Sequence, residues 1–242
     1  MVSAALHGRT ALVTGGGSGI GAACAAALTA VGVRVTVLGR REDRLRAVVE
    51  AGEAQAFIVG DVNALPKLPD FEMLVQAAGV AESAAFLKTD AALFERMWRV
   101  NLIGAVAVTQ AVLPGMLAAG FGRVVMVAST ASLKGYPYVT AYAAAKHGLL
   151  GLVRSLAQEV AAKGVTVNAV CPGFTETDIV ADSVARIMDR TGRSEAEARA
   201  ELAKHNPQRR LVQPAEVAAA VLALCGASAI NGQAIAVDGG ET

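Results

Sequence analysis

The sequence predicts an α/β fold: a single domain over residues 1–242, built on a doubly wound, seven-stranded parallel sheet with helices on both faces. Three observations predict it. Apolar runs of strand length alternate with helical patterns along the chain, the rhythm of successive β-α-β units. The composition is 54% hydrophobic but only 4% aromatic, an aliphatic, alanine-rich balance suited to strands covered on both sides. Finally, the first apolar run breaks into a glycine-rich turn that opens a helix. No internal repeat, linker or low-complexity tract divides the chain.

The first unit carries the sharpest signal. Residues 11–13 form a short buried-strand run that breaks at Gly15, and Gly21 opens a helical pattern through Ala22, Cys24, Ala25, Leu28 and Val31. A strand, a turn and a helix N-terminus make an anion site, because free N–H groups and the positive helix end point at one place. Gly15, Gly19 and Gly21, with Ser18 and Ile20 between them, leave the main chain bare enough for a pyrophosphate. A second strand over 33–38 ends in Gly39-Arg40-Arg41. An acidic residue there would bind the ribose hydroxyl of NAD, whereas arginine suits a 2′-phosphate, so Arg40 and Arg41 favour NADP, with NAD possible. The plainer reading is a solvated helix start, since Glu42, Asp43, Arg44 and Arg46 continue the charge.

A helix over 43–51 and a strand over 54–59 lead to Gly60-Asp61-Val62, at the ligand edge of such a sheet. Asp61 there could accept from an adenine amino group or cap a helix. A fourth strand, 73–77, runs into Ala78-Gly79. Only ten residues, 63–72, precede it, with Pro66 and Pro69 among them. That is short for a parallel crossover and hostile to helix, so an irregular crossover and thin cover on that side are expected. A helix over 89–113 places Leu93, Met97, Val100, Ile103 and Ala107 on one face, with Asn101 inside it as a poor helix former.

The fifth strand, 123–128, is continuously apolar and therefore central, and Ser129 and Thr130 emerge at its ligand edge. A helix over 140–163 carries Tyr142 and Lys146, one turn apart on one face; alone, such a pair is commonly a phenol packed by a lysine stem. The sixth strand, 165–170, is expected to stop at Cys171-Pro172-Gly173, with Thr175 and Thr177 beyond. Residues 178–210 break the strand–helix rhythm and read as an insertion over the site, a substrate lid, or as a plain surface helical pair. A helix after Gln213-Pro214 runs to Cys225, and a last strand over 233–237 ends in Gly239-Gly240.

Charge and composition exclude some classes. With 22 basic against 21 acidic residues there is no electrostatic case for nucleic acid or an anionic membrane. No apolar run reaches membrane-spanning length, and no signal-like apolar segment opens the chain. Cys24, Cys171 and Cys225 are widely spaced in apolar settings, which suggests buried, reduced thiols and a cytoplasmic protein; no metal site is expected.

Taken together, these motifs resemble the short-chain dehydrogenase/reductase family over essentially the whole length. Thr14-Gly15-x-x-x-Gly19-x-Gly21 resembles its cofactor motif and Asp61 its adenine-contacting aspartate. Asn101, Ser129, Tyr142 and Lys146 match its catalytic tetrad, Pro172-Gly173 with Thr177 its motif after strand six, and Gly232-Gln233 to Gly240 its ending. The resemblance implies a Rossmann-type domain whose cofactor is held by Gly15, Ser18, Gly19, Ile20, Gly21, Arg40, Arg41, Asp61, Val62, Ala78, Gly79, Tyr142, Lys146, Pro172, Gly173, Thr175 and Thr177. It also implies a nicotinamide cofactor that supplies hydride, Tyr142 as proton donor or acceptor, Ser129 as a second donor to the same oxygen, Lys146 on the nicotinamide ribose, and Asn101 keeping a water in a proton relay. The Lys146 ammonium is expected to favour the Tyr142 phenolate.

One departure is the family's Asn-Asn-Ala-Gly, here Gln76-Ala77-Ala78-Gly79: Ala77 cannot brace the central sheet, so another group must. The other is the short crossover before it. The activity expected is NADP(H)-dependent interconversion of a small-molecule ketone and secondary alcohol. Cys171 to Thr177 and Arg210 to Pro214 are similar to 3-oxoacyl-thioester and polyketide ketoreductases of the family, so a CoA or carrier-protein thioester is the expected substrate. The alternatives are an NAD-linked dehydrogenase of a cyclic or other secondary alcohol, and a non-catalytic NADP-binding sensor. Arg186, Arg190, Arg193, Arg199, Arg209 and Arg210 could meet thioester phosphates or pair with neighbouring acids. The resemblance implies a homo-oligomer, dimer or tetramer, through the helices of Asn101 and Tyr142; Leu149, Leu150, Leu152 and Val153 could serve that interface or the core.

Overall fold

The computed structural model describes residues 5–242. Its strands are β1 (Thr10–Thr14), β2 (Arg34–Gly39), β3 (Ala56–Val59), β4 (Met73–Gln76), β5 (Gly122–Val127), β6 (Val165–Pro172) and β7 (Ala234–Val237). All pair in parallel, in the order β3-β2-β1-β4-β5-β6-β7. The order reverses between β1 and β4, so the loops leaving those two strands diverge to opposite faces and open a crevice at the C-terminal edge. The helices are α1 (Gly19–Ala30), α2 (Glu42–Glu50), α3 (Ala91–Trp98), α4 (Gly104–Ala119), α5 (Thr140–Val160), α6 (Asp178–Thr191), α7 (Glu195–Ala203) and α8 (Pro214–Gly226).

Both faces are covered. On one, Cys24 and Leu28 of α1, Leu45 and Val48 of α2 and Val217 and Val221 of α8 pack on Val13, Val35 and Val75. On the other, Val108, Val112 and Met116 of α4 and Leu149, Leu150 and Val153 of α5 pack on Leu12, Leu74 and Val124. Leu149, Leu150 and Val153 thus belong to the core. All three cysteines are buried free thiols, with burial pushing Cys24 and Cys225 up to about 12.

Several elements differ from the sequence reading. The 89–113 helix is two helices joined by a π-turn, Arg99–Ile103. The wide turn shifts the helical phase across this stretch, so Leu102 is buried and Ile103 is exposed, the reverse of a regular repeat. The helix also runs through Pro114 to Ala119. Val112 and Met116, fully buried on either side of that proline, hold the helix onto the sheet against the local preference. The continuous run Ala91–Ala119 contains an 18-residue window with a mean hydropathy of 1.8 and, by length and composition, could cross a membrane, which corrects the expectation that no segment reaches that length. Here its Ala105, Val108, Val112 and Met116 stripe lies in the core.

β6 continues through Cys171 and Pro172. The Gly173 N–H bonds to Val237 O on β7, so the Pro172 nitrogen faces the β5 side, where the ladder makes its last bond from Ala128 N–H to Val170 O. The 63–72 crossover is irregular, as expected. Phe71 is buried from it and Leu65 and Leu68 pack against the core, but edge strand β3 stays thinly covered, with Val59 45% exposed.

The brace that Ala77 cannot supply comes from Thr14 at the end of β1. Its hydroxyl accepts from the N–H groups of Ala77 (3.2 Å) and Ala78 (3.1 Å) and donates to Gln76 Oε1 (2.9 Å). Thr14→Val keeps the shape and removes all three bonds, two of them from main-chain donors. It should lower unfolding free energy by about 2 kcal/mol in urea titration, with Thr14→Ser close to wild type. A Thr14→Val variant as stable as wild type would show that the brace lies elsewhere.

Candidate active site

The glycine turn lines one cleft at the crevice. A Cβ on Gly15 (φ +63°) would stand 2.9 Å from the Ala78 backbone, and one on Gly21 would stand 2.3 Å from Gly15 O. Bare main chain is therefore required where β1, the β4 loop and α1 converge. Gly16, not singled out from sequence, is equally constrained, 2.5 Å from the Val37 side chain. Ser18 leads into α1 without capping it through its side chain, and no acid occupies the first turn, so the N–H groups of that end stay available to an anion. The Thr177 methyl closes on the turn, 3.0 Å from where a Gly19 Cβ would lie.

This cleft, of about 390 Å³, runs from the turn past Ile20, Ala78 and Gly79 to Asp61, Val62, Arg40, Arg41 and Arg44. Arg41 donates to Ser18 Oγ (3.2 Å) and pairs with Asp178 (3.5 Å). Among the described residues, Arg40 and Arg44 have no carboxylate partner. The sequence marks Arg44 only as part of a charged helix start. Asp61 caps no helix: its Oδ1 accepts from the N–H (2.9 Å) and side-chain amide (3.1 Å) of Asn63, which fixes the turn that borders the cleft.

A second, largely apolar cavity of about 570 Å³ joins the first at Ile20, Gly79, Val80 and Thr177. Asn101, Ser129, Tyr142 and Lys146 all line it, so one chamber gathers residues from the π-turn, the end of β5 and α5. Ser129 leaves β5 extended, and its Oγ accepts from Ala131 N (3.1 Å) at the start of the next turn. Burial raises the Tyr142 phenol above the usual tyrosine range, a hydrogen bond with Ser129 opposes the rise, and Cys171 adds to it.

Lys146 is buried, donates to Val127 O (2.9 Å) and stands 5.7 Å from the centre of the Tyr142 ring. Burial pulls its ammonium down to about 8. The expectation that the Lys146 ammonium favours the Tyr142 phenolate is therefore corrected. The ammonium turns to main chain, and desolvation governs both groups.

Asn101 is buried with its side chain fully used. Nδ2 donates to Val80 O (2.9 Å) and Met97 O (3.0 Å), while Oδ1 accepts from Val80 N (3.2 Å). It braces the Gly79–Val80 loop, and a Cβ on Gly79 would lie 2.9 Å from Asn101 Oδ1 and 3.7 Å from Lys146 Nζ. At the end of β6 and just beyond it, Pro172, Gly173, Thr175 and Thr177 form the adjoining wall. Thr175 Oγ1 donates to Gly173 O (2.9 Å), and Thr177 Oγ1 donates to Thr175 O (3.1 Å).

The 178–210 segment folds as α6 and α7, the latter opened by a Ser194/Glu197 capping box. Val180, Val184, Ala198 and Leu202 form a small core of their own with Leu211. Ile179, Val180 and Ile187 of α6 face the cavity.

Sequence reading misses the cavity's far wall. Tyr136 and His205 flank Phe174 in edge and tilted contacts. The Tyr136 hydroxyl bonds to Thr130 Oγ1 and to the carboxylate of Glu241, which is buried and also meets Lys134 (3.1 Å). Burial and the Glu241 hydrogen bond drive the Tyr136 phenol far up. A glutamate one residue from the end of the sequence has no periodicity or motif to announce it.

The short chain dehydrogenase model matches residues 9–187, and the chain belongs to that family of oxidoreductases. It is 34% identical to the acetoacetyl-CoA reductase of Rhizobium meliloti (strain 1021), covering 96% of this chain and 98% of that one. It is 36% identical to the cis-4-hydroxycyclohexanecarboxylate dehydrogenase of Sinomonas cyclohexanicum, covering 97% and 96%. A variant of actinorhodin polyketide ketoreductase, solved with NADPH, superposes with a TM-score of 0.90 at 37% identity, covering 96% and 97%.

A buried Lys146 held near 8 against 10.5 costs stability while it is charged, and that cost fades as pH rises from about 8 to 10.5. Lys146→Met should therefore gain most over wild type near pH 7, and the gain should shrink steadily by pH 10 in urea unfolding. A gain that grows with pH would contradict the assignment.

Proposed function

We propose that the chain is an NADP(H)-dependent oxidoreductase that interconverts a ketone and a secondary alcohol, with a 3-oxoacyl thioester as substrate. The observation that carries this reading is that Ser129, Tyr142 and Lys146 line one apolar cavity opening onto a cleft of bare main chain and free arginines. The residues fit the cofactor. Gly15, Ser18, Gly19, Ile20 and Gly21 would hold the pyrophosphate at the α1 N-terminus, and Arg40 with Arg44 would hold the 2′-phosphate. Asp61 and Val62 would border the adenine, Ala78 and Gly79 the adjoining ribose, and Pro172, Gly173, Thr175 and Thr177 the nicotinamide, with Lys146 on its ribose. When bound, NADPH supplies hydride.

The chain's own groups do the rest. The Tyr142 phenol, protonated at neutral pH as any tyrosine is and raised further by burial, donates a proton from its Oη to the carbonyl oxygen during reduction. Ser129 Oγ donates a hydrogen bond to the same oxygen as charge develops. Lys146, poised near 8, returns a proton toward Tyr142, and Asn101 fixes the loop beside it. The 178–210 segment acts as the substrate lid. A cyclic secondary alcohol is the second reading, supported by the likeness to the hydroxycyclohexanecarboxylate dehydrogenase. Initial rates on a panel of 3-oxoacyl thioesters and cyclic ketones separate the two.

Tyr142→Phe should lower turnover at least about a hundredfold while NADPH binds as in wild type. Near-normal turnover would remove Tyr142 from its role. Arg40→Ala should weaken NADPH about tenfold by loss of a charged hydrogen bond and leave NADH nearly unchanged in fluorescence titration. An equal effect on both would mean that Arg40 does not read the 2′-phosphate.

A further inference from the structure

The six arginines of the lid segment divide into two sets. Arg193 pairs with Glu201 (3.0 Å), Arg199 with Glu176 (2.6 Å) and Glu195 (2.9 Å), and Arg210 with Glu216 (2.6 Å). Those charges are spent on the protein's own surface. Arg186, Arg190 and Arg209 have no carboxylate partner among the described residues. Of these three, Arg186 and Arg190 line the cavity that holds Ser129 and Tyr142. They stand four residues apart on α6 and so share one helical face.

Asp182 and Asp189 stand on the same helix and Glu82 and Glu201 line the same cavity, yet none of them pairs with Arg186 or Arg190, and Glu82 is taken by Arg96. Arg186 donates only to the Ser183 hydroxyl (3.0 Å), and its Nε is buried with no acceptor at all. Asp178, at the start of the same helix, is engaged by Arg41, and Glu201, across the cavity, by Arg193 and Lys204. Glu241, behind the far wall, is engaged by Lys134 and Tyr136. The lining near α6 otherwise mixes apolar side chains, Phe174, Val180, Ile187 and Leu202, with the uncharged hydroxyls of Thr177, Ser183 and Thr191. A guanidinium with idle donors, facing a mostly apolar chamber, suits a planar or tetrahedral oxyanion that it can grip with two N–H groups.

We propose that Arg186 and Arg190 form an anion subsite of the substrate cavity, and that the molecule reduced here carries a carboxylate or phosphate held by these two side chains while its carbonyl meets Ser129 and Tyr142. This rests on the carbonyl-reductase reading of the same cavity. The anion has two sources: the substrate's own carboxylate, as in a short oxo acid, or the phosphates of a thioester's carrier arm. Neutral ketones of the same size lack the handle and bind more weakly.

The test is calorimetric titration of the full chain, saturated with NADP⁺ so that no reduction occurs, using acetoacetate, acetoacetyl-CoA and ethyl acetoacetate. Wild type should bind at least one anionic probe at least tenfold more tightly than the neutral ester, and the tighter anion identifies the source. Arg186→Gln/Arg190→Gln should bring anion and ester to within about twofold, with NADP⁺ affinity retained as evidence of an intact fold. Exposed Arg190→Gln alone should lose part of the preference, should the double variant fold poorly. Equal affinity of wild type for anions and ester, no binding of any probe, or a preference that survives both substitutions would overturn the subsite. NADPH oxidation by wild type with each probe is measured separately. Absence of reduction there counts against the carbonyl-reductase reading, whereas the titrations report on the subsite alone.

Discussion

The constraint on which the site depends is the approach of the Gly15 turn to the main chain of Ala77 and Ala78. Strand order reverses between β1 and β4, and the two chain segments leaving those strands nearly touch before they part. A side chain on Gly15 would wedge them apart, and the Thr14 hydroxyl bonds them together. Everything functional is laid out around this junction. α1 starts from one segment, the loop braced by Asn101 continues from the other, and both clefts open where they separate. A glycine that cannot be replaced and a threonine that ties the sheet thus do one job: they bring an anion cradle next to a carbonyl chamber.

Inside that chamber two effects compete. A positive charge beside a phenol lowers its pKa, and desolvation raises it. With Lys146 turned onto the Val127 carbonyl, desolvation prevails at Tyr142 and drags Lys146 down as well. The phenol is then protonated but a weaker acid than a free tyrosine, so proton donation to a carbonyl also gains from positive charge close to the ring. Oxidation of an alcohol needs the phenolate, and hence additional positive charge close to the ring.

Much of this is legible in the sequence. The glycine turn, the Tyr142–Lys146 spacing and Ser129 at a strand end each rest on local chain geometry, and the structure brings them together at one edge. Strand bounds and helix phase are less legible. The π-turn at Arg99–Ile103 shifts which of Leu102 and Ile103 is buried, and no local preference marks it. Pro114 and Pro172 read as breaks but are carried by packing and by the end of a neighbouring strand. Least legible are contacts between distant segments: Thr14 standing in for a missing asparagine, Glu241 reaching Tyr136, and the sorting of the lid arginines into paired and free.

The two clefts act as one site, with the cofactor reaching from the first into the second, where the carbonyl is held. The most direct measurement of this is isotope transfer. NADPH carrying deuterium at both C4 positions of the nicotinamide is incubated with the protein and acetoacetyl-CoA, and the product is read by mass spectrometry. The account predicts one deuterium on the carbinol carbon of the 3-hydroxy product. Formation of that alcohol without deuterium would contradict it.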